Sequence, residues 1–290
     1  MLSISVDQLS QIPGIGDKTL KRIIDTCLKQ KGFISKYSAA IELEINSIIN
    51  GDCLELMNGI MDKSVDMILA DLPYGTTNCA WDSRISLDKL WAHYTRIIKD
   101  SGAIVLMAQT PFDKLLGFSN IEMLRYEWIW EKTQPTGHYN AKKMPMKAHE
   151  NALVFYKQLP TYNPQITVGH SPMNSYTKSI KAQNKSNVYG EATKEIVGGG
   201  KTWRYPRSVQ VFKSDKQFNY IHPAQKPVAL FEYFIRTYTN AGDLVLDNVI
   251  GSGTTAIACG STKRNFIGME LDKEYFTLAT DRISKARENK

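Results

Sequence analysis

From about residue 40 onward, short apolar runs alternate with stretches in which apolar residues recur every three or four positions, the pattern of buried strands joined by amphipathic helices. Strands are expected near Ile45–Asn50, Val65–Ala70, Ala103–Ala108, Tyr126–Glu131, Ala152–Tyr156, Leu244–Asn248 and Phe266–Glu270. The helical period covers Leu54–Ile60, Leu87–Lys99, Pro111–Phe118, Val228–Thr239, Thr254–Thr262 and Lys273–Arg287. Such alternation predicts an α/β domain built on a seven-stranded, mostly parallel sheet with helices on both faces. Residues 157–221 interrupt it with Ser, Asn, Gln, Pro and the run Gly198–Gly199–Gly200. That stretch reads as an insertion, too polar for sheet core and too long for a plain loop.

Ahead of this domain, Leu9, Ile12, Leu20, Ile23 and Ile24 flank Pro13-Gly14-Ile15-Gly16, which predicts two short helices around a glycine turn. Residues 1–38 thus resemble the helix-hairpin-helix DNA-binding motif. In that motif, amides around positions such as Gly14 and Gly16 and the next helix N-terminus hold a backbone phosphate, and Lys18 adds positive charge. An ordinary helical hairpin is the alternative. So short a segment cannot bury a core of its own, and it is expected to lean on the main domain, residues 39–290.

The chain has 290 residues, 42% hydrophobic and 22% charged, enough to fold around a sizeable core. Its 36 Lys and Arg against 29 Asp and Glu leave a net +7. The excess is local: residues 131–226 hold 15 basic and 5 acidic side chains, a net +10, while the remainder is −3. A polyanion is the natural partner of such a segment. Cys27, Cys53, Cys79 and Cys259 lie far apart without a CxxC pair or a nearby histidine, so no disulfide framework and no metal site is expected. Reduced thiols in a cytoplasm are the default. The start, MLSISVDQLS, lacks a basic end followed by an apolar run, and no stretch approaches the roughly 18 apolar residues of a membrane span.

Two constellations carry chemistry. The strand Leu244–Asn248 leads through Ile250-Gly251-Ser252-Gly253-Thr254-Thr255 into a helix, where glycines admit a ligand close to the backbone and free amides favour an anionic group. At the end of the next strand, Glu270 follows Asp247 by 23 residues and can accept from ribose hydroxyls, which points to an adenosine-containing cofactor. The absent Walker lysine argues against a nucleoside triphosphate. The second constellation is the apolar strand Val65–Ala70 delivering Asp71-Leu72-Pro73-Tyr74 at its carboxyl end, where open α/β sheets bind ligands. An aromatic amine is a weak nucleophile because its lone pair is conjugated with the ring. A site that alkylates it needs two acceptors for its N–H bonds and an aromatic face for the base, and Asp71, the Pro73 carbonyl and Tyr74 supply those parts. A strand end with a proline turn and an exposed tyrosine is the bland reading.

Together these residues resemble the permuted, β-group S-adenosylmethionine-dependent DNA amino-methyltransferases, with a Rossmann-like fold in circularly permuted order and an Asp/Asn/Ser-Pro-Pro-Tyr active site. The resemblance spans roughly residues 44–283, through Asn50-Gly51-Asp52, Asp71–Tyr74, His149-Glu150, His222–Pro227, Asp247–Thr255 and Gly268–Glu270. It implies that Asp71, Pro73 and Tyr74 form the amine site. It also implies that Asp247, Gly251, Gly253, Thr254 and Thr255 line the methionine half of S-adenosylmethionine, that Glu270 holds its ribose, and that Asp52 lies near its adenine. Residues His222–Pro227 would lead into the helix beside its carboxylate, with Lys226 among the cofactor-binding residues. Leu72 stands where the family has its first proline, and Asn248-Val249 stand where it has Pro-Phe.

The implied reaction is methylation of adenine N6 in double-stranded DNA, with cytosine N4 as the alternative and a catalytically impaired DNA-binding protein as the rival outside enzymology. A nicotinamide-dependent oxidoreductase would share the glycine loop and Glu270 but leaves Asp71–Tyr74 and the basic segment unexplained. Reaching a base within a duplex requires swinging it out, offset by phosphate contacts from the basic segment, with Lys142, Lys143, Arg204 and Arg207 among the candidates. A homodimer and a cognate restriction enzyme are further partners that the resemblance leaves open.

Overall fold

The computed structural model describes residues 44–75, 85–172, 199–215 and 225–288. The glycine hairpin with Gly14, Gly16 and Lys18, and the lysines at 178, 181, 185 and 216, lie outside the described residues.

The chain order is β1 (Ser47–Asn50), α1 (Cys53–Leu56) with a 3-10 turn at Met57–Gly59, β2 (Val65–Ala70), α2 (Leu87–Ile97), β3 (Ile98–Ala108) and α3 (Phe112–Ser119). It continues through β4 (Leu124–Thr136), a 3-10 turn at His138–Asn140, β5 (Lys147–Phe155), β6 (Val209–Phe212), α4 (Val228–Tyr238), β7 (Leu244–Asp247), α5 (Thr254–Thr262), β8 (Asn265–Glu270) and α6 (Lys273–Glu288). The strands form one eight-stranded sheet in the order β1-β8-β7-β2-β3-β5-β4-β6. Pairing is parallel from β1 through β3 and between β4 and β6, whereas β5 runs antiparallel to both β3 and β4.

The alternation of side chains across each strand builds two cores. Ile68, Ala70, Ile104, Leu106 and Leu246 pack with Met57, Leu90, Tyr94 and Leu116 under α1–α3. On the opposite face Met67, Leu69, Val105, Met107 and Val245 pack with Leu230, Phe234, Ala256 and Ile283 from α4–α6. Helices therefore cover both faces, as the apolar period predicts, because the central strands are buried on each side.

The sheet has eight strands where seven were expected. The extra one, β6, lies inside residues 157–221, the insertion too polar for sheet core. It is an edge strand with Val209 and Val211 exposed and Gln210 and Phe212 half-buried, so it joins the sheet without the apolar run a central strand needs. Strands β3, β4 and β5 also extend beyond their apolar centres into polar residues. At the other edge β1 pairs with the last strand, β8, in parallel register, from Ser47 opposite Ile267 to Asn50 opposite Glu270. Asn50 Nδ2 reinforces that edge by donating to the Glu270 carbonyl at 2.8 Å.

Candidate active site

The neighbouring parallel strands β8, β7 and β2 end on the same side of the sheet, and each delivers one acidic side chain there: Glu270, Asp247 and Asp71. All three line a single cavity of about 1120 Å³, with Asp52, Pro73, Tyr74, Lys226, Gly251, Thr254 and Thr255 also in its wall. Asp71–Tyr74 and the glycine loop thus face one space.

Leu72 is buried in the core, which anchors the strand end and leaves Pro73 at the cavity wall. Tyr74 lies with one face against Phe112, ring centroids 5.3 Å apart and 28° between planes. Its hydroxyl donates to Asp71 Oδ1 at 2.7 Å. Burial pushes the Asp71 carboxyl up from its ordinary value, Lys226 pulls it down, and Glu150 pushes it up again. Burial followed by the neighbouring Asp71 and Glu150 carboxylates raises the Tyr74 phenol well above its usual range, so it stays a proton donor.

Lys226, which the resemblance assigns to the cofactor, lies in the cavity wall with its ammonium 2.7 Å from Asp71 Oδ2 and 3.1 Å from Glu150 Oε2. The reason is electrostatic: an ammonium this deeply buried needs anionic partners, and two carboxylates stand within reach. Burial disfavours the charged form, yet Asp71 and Glu150 raise the Lys226 pKa above the normal lysine value. Glu150 is paired in turn with Lys132 at 2.6 Å. Burial would raise Glu150, but Lys226 and Lys132 overcome it and hold its carboxyl at about 2. Sequence reasoning gave Glu150 no role and did not single out Lys132. The available signal was a charged residue heading an otherwise apolar, buried strand segment at Ala152–Phe155.

On the glycine-loop side, Asp247 accepts from the Thr255 hydroxyl and, at 3.1 Å, from the Val249 amide. Burial raises its pKa to about 7 against those hydrogen bonds, with Asp71 and Glu270 adding to the rise. Glu270 accepts from the amides of Gly251 and Asp272, each at 2.9 Å, and so pins the glycine turn to the end of β8. Asp52 caps α1 by accepting from the Leu54 amide at 2.8 Å. Gly251 has φ of 53° at the cavity wall, a left-handed conformation that favours glycine. Gly253 does not line the cavity. Its φ is 80°, and a Cβ there would stand 3.3 Å from Ile283 Cδ1 and 3.4 Å from Ala279 Cβ, so its observed service is close packing against α6. Asn248, where the family has proline, is buried and accepts from the Tyr94 hydroxyl at 2.5 Å.

Among the basic candidates, Lys142, Lys143 and Arg207 are exposed. Arg204 is half-buried, and its guanidinium donates to the carbonyls of Lys201, Trp203 and Ser171 at 2.7, 2.8 and 2.6 Å, holding two irregular segments together. His149 is exposed and pairs across the sheet with Glu131.

Comparison with known proteins agrees with this geometry. A DNA methylase family of the N6/N4 type matches residues 65–281. The chain is 29% identical over 258 residues to the DNA adenine methyltransferase YhdJ of Escherichia coli (strain K12), covering 84% of each. It is 26% identical over 251 residues to the Type II methyltransferase M.HpaI of Haemophilus parainfluenzae, covering 81% of this chain and 73% of that protein. Among solved structures, the M1.HpyAVI–SAM complex superposes with a TM-score of 0.55 at 25% identity, over 82% of this chain and 98% of the other. The cytosine-N4-specific PvuII DNA methyltransferase superposes at 0.57 with 16% identity, over 85% and 93% of the two chains, a likeness of fold alone. With the family matched over most of the chain's length and Asp71–Tyr74 facing the glycine loop across one cavity, this chain belongs to the N6/N4 DNA methylases.

Proposed function

We propose that this protein transfers a methyl group from S-adenosylmethionine to the exocyclic N6 amine of adenine in double-stranded DNA. The observation that carries the reading is the single cavity shared by Asp71, Pro73 and Tyr74 on one side and by Asp247, Gly251 and Glu270 on the other. An amine acceptor and an electrophile can meet only if both sites open into one space. Adenine rather than cytosine is supported by the likeness to YhdJ, named an adenine methyltransferase. The name of M.HpaI as a Type II methyltransferase supports a place in restriction and modification.

The cavity fits S-adenosylmethionine by its donor set: Asp247 and Glu270 are carboxylates suited to a cationic amino acid end and to ribose hydroxyls, and the turn at Gly251 admits close approach. When bound, S-adenosylmethionine supplies an electrophilic methyl group on a sulfonium centre. The protein's own part is to bind and orient. Asp71 and the Pro73 carbonyl accept the two amine N–H bonds, which favours a pyramidal nitrogen with its lone pair freed from the ring. Tyr74 borders the base. A sulfonium leaving group departs neutral and needs no acid, which matches a site holding acceptors and a tyrosine that retains its proton. The strand bearing Asp71 precedes the glycine loop in the chain, the order of the permuted β group. We assign DNA backbone contact to residues 1–38 through Gly14, Gly16 and Lys18, and to Lys142, Lys143 and Arg207. No described helix is long and apolar enough to cross a membrane.

The deciding experiment incubates the protein with labelled cofactor and mixed-sequence duplex DNA, then identifies the nucleosides by mass spectrometry. N6-methyladenine is expected. N4-methylcytosine overturns the choice of base, and the absence of both overturns the enzyme. The exposed Lys142 and Lys143 give a second measurement. A double Lys142→Ala/Lys143→Ala variant is expected to bind duplex DNA more weakly and to lower the slope of log K against log[salt] by about 1.8, since each phosphate contact contributes about 0.9.

A further inference from the structure

Four charged side chains from four segments meet at Asp71 in a fixed order. Lys226 Nζ bridges Asp71 Oδ2 at 2.7 Å and Glu150 Oε2 at 3.1 Å, and Lys132 Nζ holds the other oxygen, Glu150 Oε1, at 2.6 Å. The side chains of Lys226, Glu150 and Lys132 are only 8%, 10% and 10% exposed. The Tyr74 hydroxyl joins Asp71 at 2.7 Å and stands 3.5 Å from Glu150 Oε2. Across the cavity, Asp247 is the further carboxylate whose charge couples to Asp71. Two carboxylates and two ammoniums cancel, as a buried cluster requires.

Lys226 alone would balance the charge of Asp71, so charge does not explain why a second buried pair stands behind it. Direction does. An ammonium has three N–H bonds and swivels on a flexible stem, and a second carboxylate bonded to it removes that freedom. We propose that Glu150 and Lys132 are positioning residues for the methyl-acceptor carboxylate, acting through Lys226: Lys132 anchors Glu150, Glu150 anchors the ammonium, and the ammonium keeps Asp71 ionised and fixed in orientation.

The inference rests on the methyltransferase reading and adds what that reading leaves open, namely what happens to Asp71 when the reaction protonates it. As the amine nitrogen bonds to the methyl carbon, the carbon–sulfur bond of the donor breaks with its electron pair passing to sulfur. The nitrogen then sheds one proton, which Asp71 takes and later releases to solvent. While Asp71 is neutral, Glu150 is the one remaining carboxylate within hydrogen-bond reach of Lys226 among the described residues. It holds the ammonium in place until Asp71 ionises again.

The test is a pH series of single-turnover methyl transfer to mixed-sequence duplex DNA at saturating S-adenosylmethionine. Beside it runs a carboxyl carbon-13 NMR titration of the enzyme without DNA, the Asp71 resonance being assigned by its loss in Asp71→Asn. In Lys226→Met, both the acid limb of the rate and the Asp71 titration move up by about one pH unit or more, the loss of an adjacent cation. Glu150→Gln moves the acid limb down, because a neighbouring anion is gone, and still lowers the rate about tenfold through misplacement of the acceptor. Its dissociation constant for S-adenosylmethionine stays within about twofold by calorimetry, and Lys132→Met, which removes a cation, shifts the limb up. Equal rate losses at every pH with an unmoved Asp71 titration would overturn the proposal. If Lys226→Met does not fold, Lys132→Met at the outer link decides by the same two readouts. If the wild type methylates no DNA, the functional reading fails, and the NMR shift in Lys132→Met still tests the clamp.

Discussion

Asp71→Ala is expected to lower single-turnover methyl transfer by about 10³-fold or more while leaving S-adenosylmethionine binding within about twofold, the loss of a positioned base and acceptor at the reacting atom. The carboxylate stands at the end of β2, lines the cavity, and is bonded by Tyr74 and Lys226. In the proposed reaction, alanine removes the acceptor for one amine N–H and the acceptor of the departing proton together. The variant is expected to fold, because Lys226 keeps Glu150 as a counterion at 3.1 Å. The glycine loop is untouched, since its own anchors are Glu270 and Asp247. Rates from rapid quench and affinities from calorimetry separate the two effects. A variant with wild-type methylation would mean that the amine binds elsewhere in the cavity, whereas equal loss of transfer and of cofactor affinity would mean that Asp71 serves the cofactor site.

What the sequence makes legible here follows from how local each signal is. The central strands announce themselves as apolar β-rich runs because both of their faces are buried, and the acids at their carboxyl ends, Asp71, Asp247 and Glu270, are found by position alone. Strand β6 is not found that way, since Val209 and Val211 face outward on a four-residue edge. Its place depends on register with β4, from Ile129 opposite Val209 to Lys132 opposite Phe212. The charge cluster is illegible for the same reason. Lys132 and Glu150 are tolerated in the interior only because they meet each other and Lys226, a coincidence of segments 18 and 76 residues apart that no local pattern encodes. Arg204 shows a further limit: basic composition suggests a DNA contact but does not reveal that three nearby carbonyls accept from its guanidinium. Composition reports that a segment is positive without reporting which cations are already engaged.

Asp247→Asn is expected to stabilise the ligand-free protein at pH 8 while weakening its hold on S-adenosylmethionine. Burial lifts the Asp247 carboxyl to about 7 from 3.8. An acid whose pKa is raised by folding favours the native state while it stays protonated. That contribution is complete below about pH 4 and is lost as pH rises toward and through 7. The gap of about three units sets a ceiling of about 4 kcal/mol on the stability forgone above pH 7. An amide at this position cannot ionise. The Val249 amide can still donate to its oxygen, and the Thr255 hydroxyl can turn to accept from its nitrogen, so the local hydrogen bonds survive. The stability of Asp247→Asn should therefore be flat between pH 5 and 8 at this site, and the gain over wild type should grow with pH to on the order of 2 kcal/mol. A cationic ligand reverses the balance: positive charge beside Asp247 favours its ionised form, so wild-type affinity should strengthen as pH rises through 7 and the variant's should not. Thermal unfolding and calorimetry across that range check both halves. A variant less stable than wild type at pH 8 would mean that Asp247 carries its charge in the folded protein without penalty, and the acid at the end of β7 would then be held for stability rather than for the ligand.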